Sequence, residues 1–134
     1  MTETIGEPKI EKTPYEMIGG EAMLRKVVNA FYDIMDSAPE AAGIRAMHAK
    51  DLSPVRERLF EFLSGWLDGP QLYFQRPDHK CIVSVHRPYA IGEKERDEWM
   101  FCIRLAMKQA GVPDDVRELL DRPFLYVANA FRNR

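Results

Sequence analysis

Apolar residues in this chain recur at intervals of three and four along four long stretches, the period of an α-helix. Met23, Leu24, Val27, Val28, Phe31, Tyr32 and Met35 make the first stripe. Val55, Leu59, Phe62, Leu63, Trp66 and Leu67 make the second. Trp99, Cys102, Ile103, Ala106 and Ala110 make the third, and Val116, Leu119, Leu120, Phe124, Val127, Ala130 and Phe131 the fourth. A helix with one apolar face must bury it against another element. In 134 residues of which 46% are hydrophobic, four such faces make one core and one domain. The fold class is all-α.

Caps and breakers mark the helix ends. Thr13-Pro14 starts a short helix that stops at Gly19-Gly20, and the first long helix follows over 21–36, limited by Pro39. Residues 40–52 have room for a helical turn or two. Ser53-Pro54 reads as a second cap with proline at the first helical position, and Gly69-Pro70 closes that helix. The third long helix spans 93–110, with Glu93 and Glu95 at the positive end of its dipole and Gly111 as its stop. Pro113 opens the last helix. Pro123 lies inside it, where the lost N–H and the ring clash predict a kink near 119–122. Residues 71–92 are the least regular. Cys81, Val83 and Val85 alternate with Ile82, Ser84 and His86, which could pass for a short strand, but no partner strand exists, so a loop with a short helix is the better reading. Residues 1–12 are polar and aperiodic, and read as a flexible tail ahead of a domain over 13–134.

Composition excludes several functions. The 19 Lys+Arg and 21 Asp+Glu leave no basic excess to hold a nucleic-acid backbone. No apolar run approaches the roughly 18 residues a membrane span needs. MTETIGEPKIEK offers no apolar stretch for a secretory signal, so a cytoplasmic, reducing setting is expected. Cys81 and Cys102 lack metal-site or disulfide spacing and read as free, core-type thiols.

Chemistry-bearing motifs are sparse. No phosphate loop, HExxH or GxSxG occurs, and the acidic pairs sit at helix starts, where capping explains them. Of the three histidines, His79 sits in the polar run RPDHK and reads as solvated. His48 follows Met47 near a loop. His86, after Val85 and before Pro88 and Tyr89, reads on its own more as a structural residue than as a ligand. A single imidazole cannot build a zinc site, which takes four ligands, but it does suffice as an axial ligand to heme iron. Tyr32 and Trp99 continue apolar stripes, and core packing alone accounts for them.

The order and spacing of PYEMIGG, AFYDIM, LFEFLSGWLDGP, VHRPYAIGEKERDEWMFC and FRNR resemble a truncated hemoglobin of group II, over Thr13–Arg134. The resemblance implies a globin-like, truncated two-over-two helical sandwich holding heme b. It places the proximal iron ligand at His86, the distal tyrosine at Tyr32 and the group's characteristic tryptophan at Trp99. His48, or its neighbour Met47, falls on a variable distal-loop position. Val55 and Leu59 fall on the two distal-helix positions that face the iron, Phe62 on the heme wall one turn on, and Arg58 and Tyr73 on propionate contacts. Val55 stands where a vertebrate globin carries its distal histidine, so distal donors must come from other elements.

The function this implies is O₂ binding, with CO and NO as further ligands, for transport, storage or sensing by a monomer or homodimer. The alternative is a heme enzyme, a nitric oxide dioxygenase or peroxidase-like catalyst. That reading requires an external reductase, since no flavin or nicotinamide site is visible. A heme-free helical interaction module is a third reading, against which the retained His86 argues.

Overall fold

The computed structural model describes residues 12–134. All but the last residue of the expected tail lies outside them. Among the described residues there are no strands. The helices are α1 (Pro14–Ile18), α2 (Gly20–Ser37), α3 (Ala42–Ala46), α4 (Ser53–Trp66), α5 (Ile82–His86), α6 (Glu93–Ala110) and α7 (Asp114–Ala130), with a 3₁₀ turn at Pro39–Ala41 before α3.

The ends follow local chemistry. Thr13 and Glu16 form a reciprocal capping box, with the Glu16 amide donating to Thr13 Oγ1 at 3.1 Å and the Thr13 amide to Glu16 Oε1 at 3.0 Å. α6 ends at Gly111, which takes the left-handed conformation (φ 96°) that side chains disfavour. Ser53 is not the cap that the sequence suggests. It is the first helical residue, Leu52 is the cap, and the Asp51 carboxylate accepts the Ser53 amide at 3.0 Å. That bond holds the Asp51 carboxyl below its ordinary range.

Pro123 does not interrupt α7, which runs from Asp114 to Ala130. The carbonyl deprived of its donor belongs to Leu119, an exposed residue on the outer face of the helix.

α2 makes its largest interface with α6, α6 packs on α7, and α4 packs on α2. The pair α2/α4 thus lies over the pair α6/α7. Phe31, Leu24 and Val27 from α2 and Cys102, Ile103 and Ala106 from α6 are fully buried between the layers. Each large side chain there contributes roughly 1.5–3 kcal/mol by leaving water. Cys102 is core, as expected, but Cys81 is exposed, because it precedes a five-residue helix too short to have a buried face. Among the described residues no helix is long and apolar enough to cross a membrane.

Candidate functional site

The two layers do not close completely. A cavity of about 600 Å³ opens between them, bounded by α2, α4, α5, α6, α7 and the 73–80 loop. Tyr32, His48, Val55, Arg58, Leu59, Phe62, Tyr73, His86 and Trp99 all line it, and so does Met47.

His86 ends α5, one turn after Ile82. Its Nδ1 lies 2.6 Å from the Ile82 carbonyl, an acceptor only, so Nδ1 carries the proton and Nε2 keeps its lone pair. Burial lowers the His86 pKa, the Ile82 bond opposes this more weakly, and His48 adds a small push downward. The ring is therefore a neutral imidazole. Phe131, just past α7, stacks on it with centroids 4.1 Å apart and planes 7° from parallel. Asn133 ties down the turn that follows. Its Nδ2 donates to the Tyr89 carbonyl at 2.7 Å and the His86 carbonyl at 3.4 Å, and its Oδ1 accepts the Ile91 amide at 2.9 Å.

Three polar groups reach the cavity from three other elements. Tyr32 of α2 is 5% exposed. Its hydroxyl has no protein partner among the described residues, and burial drives its pKa far above the usual phenol value despite Arg56 nearby. It is a fixed O–H donor. His48 donates Nδ1–H to the Ile44 carbonyl at 2.7 Å and meets Tyr32 edge-on at 5.9 Å. Its Nε2 is left for the cavity. Trp99 of α6 packs edge-on against Phe31 at 5.3 Å, with its indole N–H likewise unpaired among the described residues.

The walls between are apolar: Val55, Leu59 and Phe62 from α4. Phe62 meets Tyr73 edge-on at 5.8 Å, and the Tyr73 hydroxyl donates to the Lys80 carbonyl at 2.7 Å. That bond spends the Tyr73 donor inside the loop and fixes Lys80 at the mouth. Arg58 stands at the same mouth, exposed, 4.0 Å from Asp78.

Sequence reasoning missed Lys80, Arg96 and Phe131, all of which line the cavity. Lys80 was hidden in a polar run and Phe131 in an apolar stripe. The Ile82–His86 spacing of one helical turn was the available signal for the imidazole's backbone anchor.

The donor set fits heme. No group of three or more His, Cys, Asp and Glu side chains capable of holding a bare metal ion occurs among the described residues. A lone neutral imidazole, opening onto a large apolar slot with cations at its mouth, suits an axially ligated porphyrin.

The model of the bacterial-like globin family matches residues 13–133. The group 2 truncated hemoglobin YjbI of Bacillus subtilis is 32% identical over 107 residues, 80% of this chain and 78% of that protein. The group II 2-on-2 hemoglobin of Agrobacterium tumefaciens superposes with a TM-score of 0.85 at 37% identity, covering 93% of this chain and 97% of that one. A truncated hemoglobin from Bacillus subtilis described as oxygen-avid superposes with a TM-score of 0.80 at 30% identity, covering 91% of this chain and all of that one. The chain belongs to the bacterial-like globins, a heme-binding family. Within it, the chain is a truncated hemoglobin of group II, with the two-over-two sandwich described above.

Proposed function

We propose that this chain holds heme b on His86 and binds O₂ tightly, for storage or sensing more than for rapid transport. The observation that carries the reading is the convergence of Tyr32, Trp99 and His48, each with a polar group left over, on one apolar cavity. When bound, heme would supply an iron able to take up a diatomic ligand. The protein's own groups do the rest. His86 offers Nε2 in a fixed tautomer, and Arg58 with Lys80 and Arg96 offers charge to the carboxylates of the porphyrin edge.

O₂ held in such a site gathers partial negative charge, which calls for donors. Tyr32 and Trp99 are donors in every accessible protonation state, whereas His48 Nε2 donates only when the ring is protonated. A hydrogen bond to a charge-bearing acceptor is worth roughly 1.5–3 kcal/mol, which is roughly 10- to 150-fold in ligand escape if the whole effect falls on dissociation. The relative described as oxygen-avid supports this direction. The free thiols Cys81 and Cys102 suit a reducing cytoplasm.

Slow release also favours the second reading, nitric oxide dioxygenase or peroxidase-like chemistry with electrons from an external reductase. The deciding experiment has two stages. Absorption spectra of the ferric, reduced and CO-exposed protein establish the heme. Stopped-flow O₂ release and NO consumption with an added reductase then separate the roles. Slow release without NO turnover supports storage or sensing, fast NO turnover supports the enzyme, and no heme uptake from added hemin overturns both.

A further inference from the structure

Behind the cavity wall lies a stack of rings that O₂ binding does not use. Phe62 lines the cavity. One helical turn on, Trp66 stacks on Phe62 with centroids 6.5 Å apart and planes 7° from parallel. Tyr126 of α7 also stacks on Trp66, at 5.9 Å and 9°. Tyr126 is 68% exposed. Three near-parallel rings thus run from the cavity to solvent, within ordinary stacking separations.

Trp66 has a further peculiarity. Its indole Nε1 is the one buried side-chain nitrogen or oxygen without a hydrogen-bond partner among the described residues. A buried donor left unpaired is costly and asks for an explanation. The arrangement suits electron transfer. With no acceptor beside Nε1, an oxidised Trp66 has nowhere to send its proton. It is not trapped as a neutral radical and recovers its electron from the next ring. Tyr126 meets the opposite condition, because water at the surface takes its hydroxyl proton as the electron leaves.

We propose that Trp66 and Tyr126 form a one-electron relay from the heme cavity to the surface, making Tyr126 an oxidation site for phenolic donors too large to enter the cavity. The relay rests on the heme reading above and takes hydrogen peroxide as its oxidant. Reduction of one H₂O₂ to two H₂O in the cavity consumes two electrons and two protons. Each electron passes from Tyr126 to Trp66 and on past Phe62. Tyr126 gives its proton to water and is restored by one electron and one proton from a phenol, ArOH, which becomes ArO•. Two turns close the balance: H₂O₂ plus two ArOH give two H₂O and two ArO•.

The test treats the hemin-loaded protein with peroxide and no added phenol. Surface tyrosyl radicals on two copies then couple into dityrosine. Tryptic mapping identifies the linked tyrosine, and dityrosine fluorescence measures the yield. The expected link is Tyr126 to Tyr126. Tyr126→Phe abolishes it. Trp66→Phe lowers the yield at least fivefold, with hemin uptake unchanged. A link through Tyr89, which is exposed and lines the cavity directly, or a yield indifferent to Trp66→Phe overturns the relay and leaves the heme reading standing. Failure to take up hemin overturns both.

Discussion

Glu98 accepts the backbone amide of Ile44 at 2.9 Å, across 54 positions of sequence and out of water. The carbonyl of the same residue accepts His48 Nδ1–H at 2.7 Å. One carboxylate on α6 therefore sets the short helix that holds a distal-side ring. Glu98→Ala leaves the Ile44 amide buried and unpaired, at a cost of about 1–3 kcal/mol. For a domain of this size that is roughly 3–5 °C of melting temperature per kcal/mol. Glu98→Gln keeps an acceptor and recovers most of the loss. Gly43→Ala is expected to imitate the alanine variant, since a Cβ there would sit 2.9 Å from both Glu98 oxygens. Thermal melts of the three variants check this, and equal melting temperatures for Glu98→Ala and wild type would contradict it.

Tyr32→Phe is expected to separate stability from function. The hydroxyl opens onto the cavity without a protein partner, so its removal strands no buried group and leaves the heme-free protein about as stable. O₂ dissociation from the loaded protein should accelerate roughly tenfold or more, the worth of one donor to a charge-bearing ligand. Stopped-flow kinetics beside a melt of the apoprotein measure both. An unchanged O₂ rate removes Tyr32 from the site.

His86→Ala removes the anchored Nε2. Hemin binding should weaken severely, and added imidazole should restore an axial nitrogen to whatever heme remains. The readout is the absorption and magnetic spectrum with and without imidazole. Unaltered spectra in the variant would place the iron ligand elsewhere.

Acid should loosen the cavity mouth before the core. Glu61 of α4 pairs with Arg76 of the 71–80 loop through two hydrogen bonds, one of them 2.7 Å. The Arg76 bonds hold its carboxyl below the ordinary range. A lowered carboxylate pKa stabilises the fold above the unfolded value, about 4.3, and that contribution is lost as pH falls through the folded value. Glu61→Gln should be less stable than wild type near neutrality and lose less on acidification. Urea unfolding across the acid range tests it, with parallel pH profiles as the opposing result.

Pro123→Ala restores a donor for the Leu119 carbonyl in the middle of α7. The gain is expected to exceed the lost rigidity of the unfolded chain, since interior proline costs about 3 kcal/mol and the entropic effect is below about 1. A higher melting temperature is the prediction, and a lower one would mean that the helix is fitted to its proline.

The legible parts of this protein are those where one residue's neighbours lie a turn away. The α2 stripe from Met23 to Met35 needed only its spacing. So did the stops at Gly19 and Gly111, whereas α4 ends at Trp66, ahead of the expected Gly69, and Asp68 takes the left-handed conformation there. Val83 and Val85 show where local pattern misleads. Their alternation hints at a strand, yet both belong to α5, where Val83 lies exposed and Val85 lines the cavity with Ile82 and His86. Tyr73 is buried inside a segment with no period at all, because its burial comes from Phe62 and the Lys80 carbonyl. Phe131 on His86, and Glu98 on Ile44, are matters of tertiary contact between residues some fifty positions apart or nearly so, and no stripe records them. The distal residues were readable as a set only through the resemblance, since Tyr32 and Trp99 look like core in their own helices.

The Asn133 bonds to the turn after His86 have a consequence for how the cofactor leaves. The Tyr32 side of the cavity is walled by long helices that interlock across the core. The His86 side depends on a five-residue helix, a stacked phenyl ring and a few side-chain-to-backbone bonds near the surface. Such bonds are worth about 1 kcal/mol each, far less than global unfolding costs. The pocket therefore has a hinged back wall. With heme held on His86 as proposed, its exchange is expected to be a local opening event whose rate follows the hold of Asn133 and Phe131, so that even a protein melting at high temperature would be free to trade its cofactor quickly.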